Sequence, residues 1–301
     1  MSGRICLALV DPNNPFQRLL SADAEAAAHA AGLEIHTIFT SESLTEHLAA
    51  LRRVISEPAH KPDALLVMAV RDQGLTRVVQ EAAAAGVHWF FLNAIEDDLD
   101  AIRRQHPGVA IATVCPDEVE TGRVQGRQLR ALTRPGQRAL YVQGNPRSLA
   151  SRLRTEGMHQ ATGGAEFEVL LGGGDWNPDS AARTVREWLR LAVRGRSPFD
   201  VVACQNDHLA GGVLEALVAA AAELHQPELT RIPVIGCDGA PDLGRRMVDE
   251  GRLRATVVLP RVAGPAVEIV AKLLHRGELP SPLITFAARS HPPLDSLHPP
   301  V

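Results

Sequence analysis

Four polar segments, each at the end of an apolar run, carry the chemistry legible in this sequence. Asn13-Asn14-Pro15-Phe16 comes after the run 5–10, and Asn93 after the run 87–92. Asn206-Asp207 follows the run 199–204, and Asp238-Gly239 follows the run 234–237. An Asn amide both donates and accepts hydrogen bonds, and an ionised Asp accepts from two donors at once. Sugar hydroxyls, each a donor and an acceptor, suit that set. Any one of these positions also fits a turn or a helix cap; four together after buried strands point to a binding site. Arg152 and Arg154 lie in the stretch 149–157, where they are either site cations or solvated helix charges. Trp176, in Gly174-Asp175-Trp176-Asn177-Pro178, belongs to no helical stripe. It can stack on the apolar face of a ring or pin its own loop.

Other chemistries find no support. There is no G-x-G-x-x-G and no G-x-x-x-x-G-K-[ST], and Gly172-Gly173-Gly174 reads as a loose turn. The twelve His form neither H-x-x-x-H nor H-E-x-x-H, so no metal site is expected. No G-x-S-x-G elbow occurs. An enzymatic reading would have to rest on Asp207 or Asp238 as acid or base, with no nucleophile or cofactor motif beside them; no catalytic residue and no cofactor is assigned. Net charge is −4 and no basic run exceeds two residues, which argues against a nucleic-acid partner. Cys6, Cys115, Cys204 and Cys237 sit in or at the end of apolar runs without C-x-x-C spacing and read as buried, reduced thiols. Met1-Ser2-Gly3-Arg4 runs straight into a strand, and no stretch reaches membrane-span length. As it stands the sequence reads as cytoplasmic, or as periplasmic if an export leader was removed.

These residues need a scaffold that brings strand ends to one edge. Apolar runs at 5–10, 34–39, 64–70, 87–92 and 110–114 alternate with helical stripes over 16–31, 44–55 and 74–85. A second series places helices over 118–132, 148–161, 177 to about 193, 209–224, 241–250 and 264–275. Its strands are 138–142, 167–171, 199–204, 234–237 and 253–259. The tail offers one strand-like run, 283–287; His291-Pro292-Pro293 and His298-Pro299-Pro300 are expected to be irregular. Continuous apolar strands between amphipathic helices predict an α/β fold with parallel sheets covered on both faces. In such sheets ligands collect at the carboxyl ends of strands.

The motifs together resemble the type I periplasmic binding proteins, in particular the ribose-binding-like sugar receptors of ABC transporters, which share their fold with lac-repressor-family effector cores. The matching segments are Asn14-Pro15-Phe16, Asp117 through Gly122 with Gly126, Arg152-x-x-x-x-Gly157, and Gln205-Asn206-Asp207-x-x-Ala210-x-Gly212. Gly236-x-Asp238-Gly239-x-Pro241 and Gly251-x-Leu253-x-Ala255-Thr256 complete the set. The resemblance implies two Rossmann-like lobes joined by a three-segment hinge, 1–115 plus 260–282 and 116–259 plus 283–301. It implies a sugar or sugar-like polyol held in an interlobe cleft, with closure driven by a ligand that bridges both lobes. By position, Asn14, Phe16 and Asn93 would contact ligand from one lobe, and Arg152, Trp176, Asn206 and Asp238 from the other. The implied partner is an ABC transporter permease or a signalling protein. The alternative is the effector core of a transcription regulator that lacks its DNA-binding domain. Three positions depart from the family: Asn93-Ala94 replaces an Asp-Arg pair, Gln17 a second aromatic, and Leu259 or Pro260 a glutamine.

Overall fold

A computed structural model of the chain describes residues 3–58, 61–71, 73–93, 99–191 and 197–299. Strand and helix alternate as follows: β1 (Arg4–Leu9), α1 (Pro15–Ala31), β2 (Glu34–Phe39), α2 (Leu44–Ser56), β3 (Ala64–Met68), α3 (Thr76–Ala84), β4 (His88–Leu92), α4 (Asp100–Gln105) and β5 (Ile111–Pro116). The second series runs α5 (Glu118–Leu132), β6 (Arg138–Val142), α6 (Leu149–Thr162), β7 (Glu168–Gly172), α7 (Pro178–Leu189), β8 (Val201–Cys204), α8 (Asp207–Glu223) and β9 (Val234–Asp238). A π-turn over Pro241–Arg245 then leads into α9 (Arg246–Asp249), β10 (Ala255–Val258), α10 (Ala263–Arg276), β11 (Leu283–Phe286) and β12 (Arg289–His291).

The chain forms two compact units, residues 1–116 with 260–286 and residues 117–259 with 287–301. The first holds a sheet in the order β11-β5-β4-β3-β1-β2, and every pairing in it is parallel. Successive strand residues enter opposite cores. Ile5, Leu7, Leu9, Ala64 and Leu66 pack with α1 and α10, whereas Cys6, Ala8, Leu65 and Val67 pack with α2 and α3. That alternation shows why these strands read as unbroken apolar runs: both faces are buried.

The second unit orders its strands β12-β10-β9-β8-β6-β7, with β12 antiparallel to β10. Leu140, Val142, Val202 and Cys204 face α7 and α8; Ala139, Tyr141, Val201 and Ala203 face the other way, with Leu129 of α5 and Met158 of α6. Helices α5 and α6 lie backbone to backbone. A Cβ added at Gly122 would meet the Arg154 carbonyl oxygen at 2.0 Å, and one at Gly157 would meet that of Val119 at 1.9 Å. Only a bare Cα fits at these two positions. Gly157→Ala is therefore expected to cost about 3 kcal/mol through overpacking. In urea denaturation the midpoint should fall with an unchanged slope, and an undisturbed midpoint would contradict the close crossing.

The sequence reading differs from the fold at several points. It assigned 283 onward to the second lobe, but Leu283–Phe286 pairs with Thr113–Pro116 and so completes the first sheet. It expected His291 to be irregular. Arg289-Ser290-His291 instead forms β12, tied by Gln128 Nε2 donating to Ser290 Oγ at 2.9 Å; three polar residues carry no periodic signal. It missed α4, six residues with Ile102 alone buried. The expected helix over 241–250 is split by the π-turn. The expected end of α7 near Val193 lies outside the described residues; the described helix ends at Leu189.

Candidate functional site

The Gln205-Asn206-Asp207 stretch ends β8 and opens α8, and its three side chains do three different jobs. Gln205 is a buried brace. Its Oε1 accepts from Gly144 N at 2.8 Å, and its Nε2 donates to Ser151 O at 2.9 Å and to Thr155 Oγ1 at 3.0 Å. This fixes the loop after β6 and the first turn of α6 against the end of β8. Asn206 is the N-cap of α8, its Oδ1 accepting from Leu209 N at 2.7 Å. The amide nitrogen points toward the Trp176 carbonyl at 3.5 Å, a long and weak contact that leaves its hydrogens available. Asp207, another position that fitted a cap, does not serve as one. It is instead fully buried, accepting from Thr256 Oγ1 at 2.7 Å, from Gly239 N at 2.8 Å and from Ala240 N. Asp207 thereby clamps the loop that carries Asp238.

The cation of this edge is Arg154. Arg152 points outward from α6, exposed, whereas Arg154 shares the buried stripe of Ser151, Gly157 and Met158. Positions 151, 154 and 157–158 follow the helical repeat, and 152 falls off it. Of the two arginines, Arg154 is the one buried at this edge, and the expected contact Arg152 is exposed. That choice was readable from the helical spacing to Gly157. Arg154 donates to both oxygens of Glu118, at 2.6 Å from Nε and 3.2 Å from the terminal nitrogen, and to Gln205 O at 2.6 Å. The Glu118 and Arg154 side chains are 12 % and 6 % exposed. Glu118 was not singled out from the sequence: its partner lies 36 residues away and becomes a neighbour only because Gly122 and Gly157 let the two helices touch.

Trp176 and Asp238 complete the set in the second unit. The Trp176 ring lies against Gly144, where an added Cβ would meet it at 2.3 Å, and the Arg154 guanidinium sits 5.6 Å from the ring centroid. Asp238 lies 3.7 Å from Arg154 and is 38 % exposed. Both Trp176 (φ 56°) and Asp238 (φ 104°) occupy left-handed backbone that side chains with a Cβ rarely adopt. Such strain concentrates where a side chain must be aimed for function. Burial of its carboxyl group pushes Asp238 up to about 7, Arg154 opposes the shift, and the negative charge of Glu118 adds to it. Burial likewise raises Asp207, with the neighbouring Asp238 carboxylate adding to the effect and its three hydrogen-bond donors opposing it.

In the first unit, Asn14 caps α1, its Oδ1 accepting from Phe16 N at 3.0 Å and Gln17 N at 3.3 Å. Phe16 is half-buried against the β1–α1–α10 core. Gln17, where the family carries an aromatic, accepts from Val10 N at 2.7 Å and Asp11 N at 3.0 Å and so shapes the loop after β1. Asn93 follows β4 in left-handed backbone, φ 59°; its neighbour Ala94 lies outside the described residues. These positions stand at the carboxyl ends of β1 and β4.

Two α/β units with helices on both faces of their sheets, and polar side chains gathered at the carboxyl ends of strands, define a class of small-molecule binding proteins. The periplasmic binding protein domain model matches residues 5–275, and the chain belongs to that family. The chain is similar to the ribose import binding protein of Salmonella typhimurium, 25% identical over 277 residues, covering 91% of this chain and 85% of the relative. It is also similar to a putative rhizopine-binding protein of Rhizobium meliloti, 27% identical over 222 residues, covering 72% of this chain and 67% of the relative. Among solved structures, the fold matches an ABC transporter periplasmic solute binding protein from Actinobacillus succinogenes with bound D-allose. The TM-score is 0.80 at 18% identity, over 96% of this chain and 97% of the other.

Proposed function

We propose that the chain is a non-catalytic receptor for a small polar ligand, a sugar or sugar-like polyol, serving an ABC transporter or a sensory partner. The observation that carries this reading is the Asp238 carboxylate, held in left-handed backbone at a strand end and 38 % exposed, 3.7 Å from the Arg154 guanidinium, which also lies 5.6 Å from the Trp176 ring centroid. The carboxylate accepts from two adjacent hydroxyls while the ring covers the apolar face of the polyol. The Asn206 amide donates a further hydrogen bond. Asn14, Phe16 and Asn93 are the contacts proposed on the first unit, and on the second Arg154 takes the place that the sequence assigned to Arg152. The relatives named above are binding proteins by description, which supports a role without bond making.

A thermal-shift panel of sugars, sugar alcohols and cyclitols tests this. A ligand at about a hundredfold above its Kd adds roughly 2.7 kcal/mol to stability. Asp238→Asn tolerates left-handed backbone and, with Trp176→Ala, is expected to remove the shift. Asn206→Ala is a poorer test, since loss of the cap alone costs about 1 kcal/mol. A shift that survives both Asp238→Asn and Trp176→Ala would sink the site assignment, and turnover of the ligand by mass spectrometry would sink the receptor reading.

A further inference from the structure

We infer that Gln125 is a positioning residue for the polyol site: from α5 its side-chain amide spans the ends of β8 and β9 and sets the spacing between Asn206 and Asp238. This rests on the receptor reading above. The pairing of β8 with β9 covers Val202 with Val234 and Ala203 with Ile235, and then stops. Beyond that point each strand keeps its outer neighbour, β8 with β6 through Cys204 and β9 with β10 through Asp238. The sheet therefore parts between β8 and β9 just before the site residues. One side chain spans the parting. Gln125 is fully buried, and its Nε2 donates to Cys204 O at 2.7 Å and, over a longer 3.4 Å, to Gly236 O. Each carbonyl stands two residues before a proposed contact, Cys204 before Asn206 and Gly236 before Asp238.

The amide can face only one way. Backbone carbonyls accept and do not donate, so the NH2 end must meet them. That leaves Oε1 to accept from Tyr141 Oη at 2.8 Å, and Tyr141 Oη accepts in turn from Gln205 Nε2 at 3.3 Å. Gln205 also holds the backbone nitrogen of Gly144, against which Trp176 packs. The brace is thus one link in a buried, uncharged run that reaches both walls of the site. Asp207 closes the gap further out, accepting from Gly239 N and Thr256 Oγ1; Gln125 acts on the strands before they turn. A recognition site must hold its groups to within about 0.5 Å of their working places. Without the brace, two buried carbonyls lose their donor, and the strand ends are expected to shift apart toward water or other partners.

Three variants of the full chain test this. Gln125→Met keeps the length of the side chain and removes the bridging amide. Tyr141→Phe removes one hydroxyl and keeps the core filled. Gln128→Met is the control: it strips comparable buried bonds from the same helix, to Thr256 O and Ser290 Oγ, away from the parting. The first readout needs no ligand. Crystal structures should show the Cα separation of Asn206 and Asp238 changed by about 0.5 Å or more in Gln125→Met, by less in Tyr141→Phe, and unchanged in Gln128→Met. The second is calorimetry with D-ribose, D-allose and myo-inositol, at a temperature where every variant is folded. Whichever probe binds the wild type should bind Gln125→Met about tenfold or more weakly, the scale of one lost hydrogen bond to a charged group. Gln128→Met should stay within about twofold of wild type, as distant independent sites do. An unchanged separation overturns the inference, whatever stability is lost. So does wild-type affinity in Gln125→Met, or an equal loss in Gln128→Met, which would mark a general loosening. Where Gln125→Met does not fold, Tyr141→Phe decides by the same two measures. Failure of every probe to bind the wild type counts against the receptor reading, and the crystallographic separation then decides this inference alone.

Discussion

Glu118→Ala is expected to lower the unfolding free energy by about 3–5 kcal/mol, the range for removing one partner of a buried ion pair. The cause is the guanidinium left behind with only the more distant Asp238 carboxylate, 3.7 Å away, to offset it. Arg154 is held by Gln205 O and under Trp176, so it cannot swing out to water when its carboxylate is removed. Breaking the pair strands a charge; replacing both members does not. The double variant Glu118→Leu with Arg154→Met should therefore recover much of the loss, because a well-packed apolar pair avoids the desolvation cost of both ions. Urea denaturation of the two single variants and the double one checks this. A Glu118→Ala loss under about 1 kcal/mol would mean that water reaches the pair and that it behaves as a surface bridge.

Asp207→Ala should cost at least about 3 kcal/mol, since each buried donor left without an acceptor costs about 1–3 kcal/mol and this carboxylate serves Thr256, Gly239 and Ala240. The surroundings cannot close over the gap cheaply. Gly236 and Gly244 bring their backbones against the carboxylate, close enough that an added Cβ would lie 2.2 Å and 2.0 Å from its oxygens. The same residue makes stability depend on pH. Asp207 is raised from 3.8 to about 8, so the folded chain retains a proton that the unfolded chain releases near pH 4. That contribution is fully present below about pH 4 and is lost as pH rises through the folded value. The wild-type melting temperature should therefore fall between pH 5 and pH 8.5 more steeply than that of Asp207→Asn. Parallel curves would show that the group titrates normally.

The alternation of apolar runs with helical stripes made the parallel sheets legible, because strands buried on both faces, such as β1 and β3, leave no polar residue to interrupt them. Strand ends were legible for the same reason: Asn206 and Asp238 stand where the apolar runs stop. Roles within a stretch were harder to read. Gln205, Asn206 and Asp207 are adjacent in sequence, yet one braces a loop, one caps a helix and one clamps a neighbouring strand end; only the path of the backbone separates these tasks. Glu118 left no local trace at all. Its meaning depends on a crossing between α5 and α6 that two glycines permit, and a lone Gly in a helical stripe states that something is near without stating what. β12 was illegible because its three polar residues carry no periodic signal and are held by long-range ties, from Gln128 and by pairing to β10.

The order in which the strands are made carries a consequence for how the chain acquires its shape during synthesis. β11 is the outermost strand of one sheet and β12 of the other, and both lie within residues 283–291. Until that short stretch leaves the ribosome, β5 and β10 each present an unpaired flank of backbone donors and acceptors. Exposed flanks of this kind recruit other chains. Synthesis from the N-terminus lets most of each sheet assemble early, but β5 and β10 are covered only late and nearly together, by two short edge strands. A chain that stops before residue 283 should accordingly leave β5 and β10 uncovered and engage chaperones more than one that includes residues 283–291.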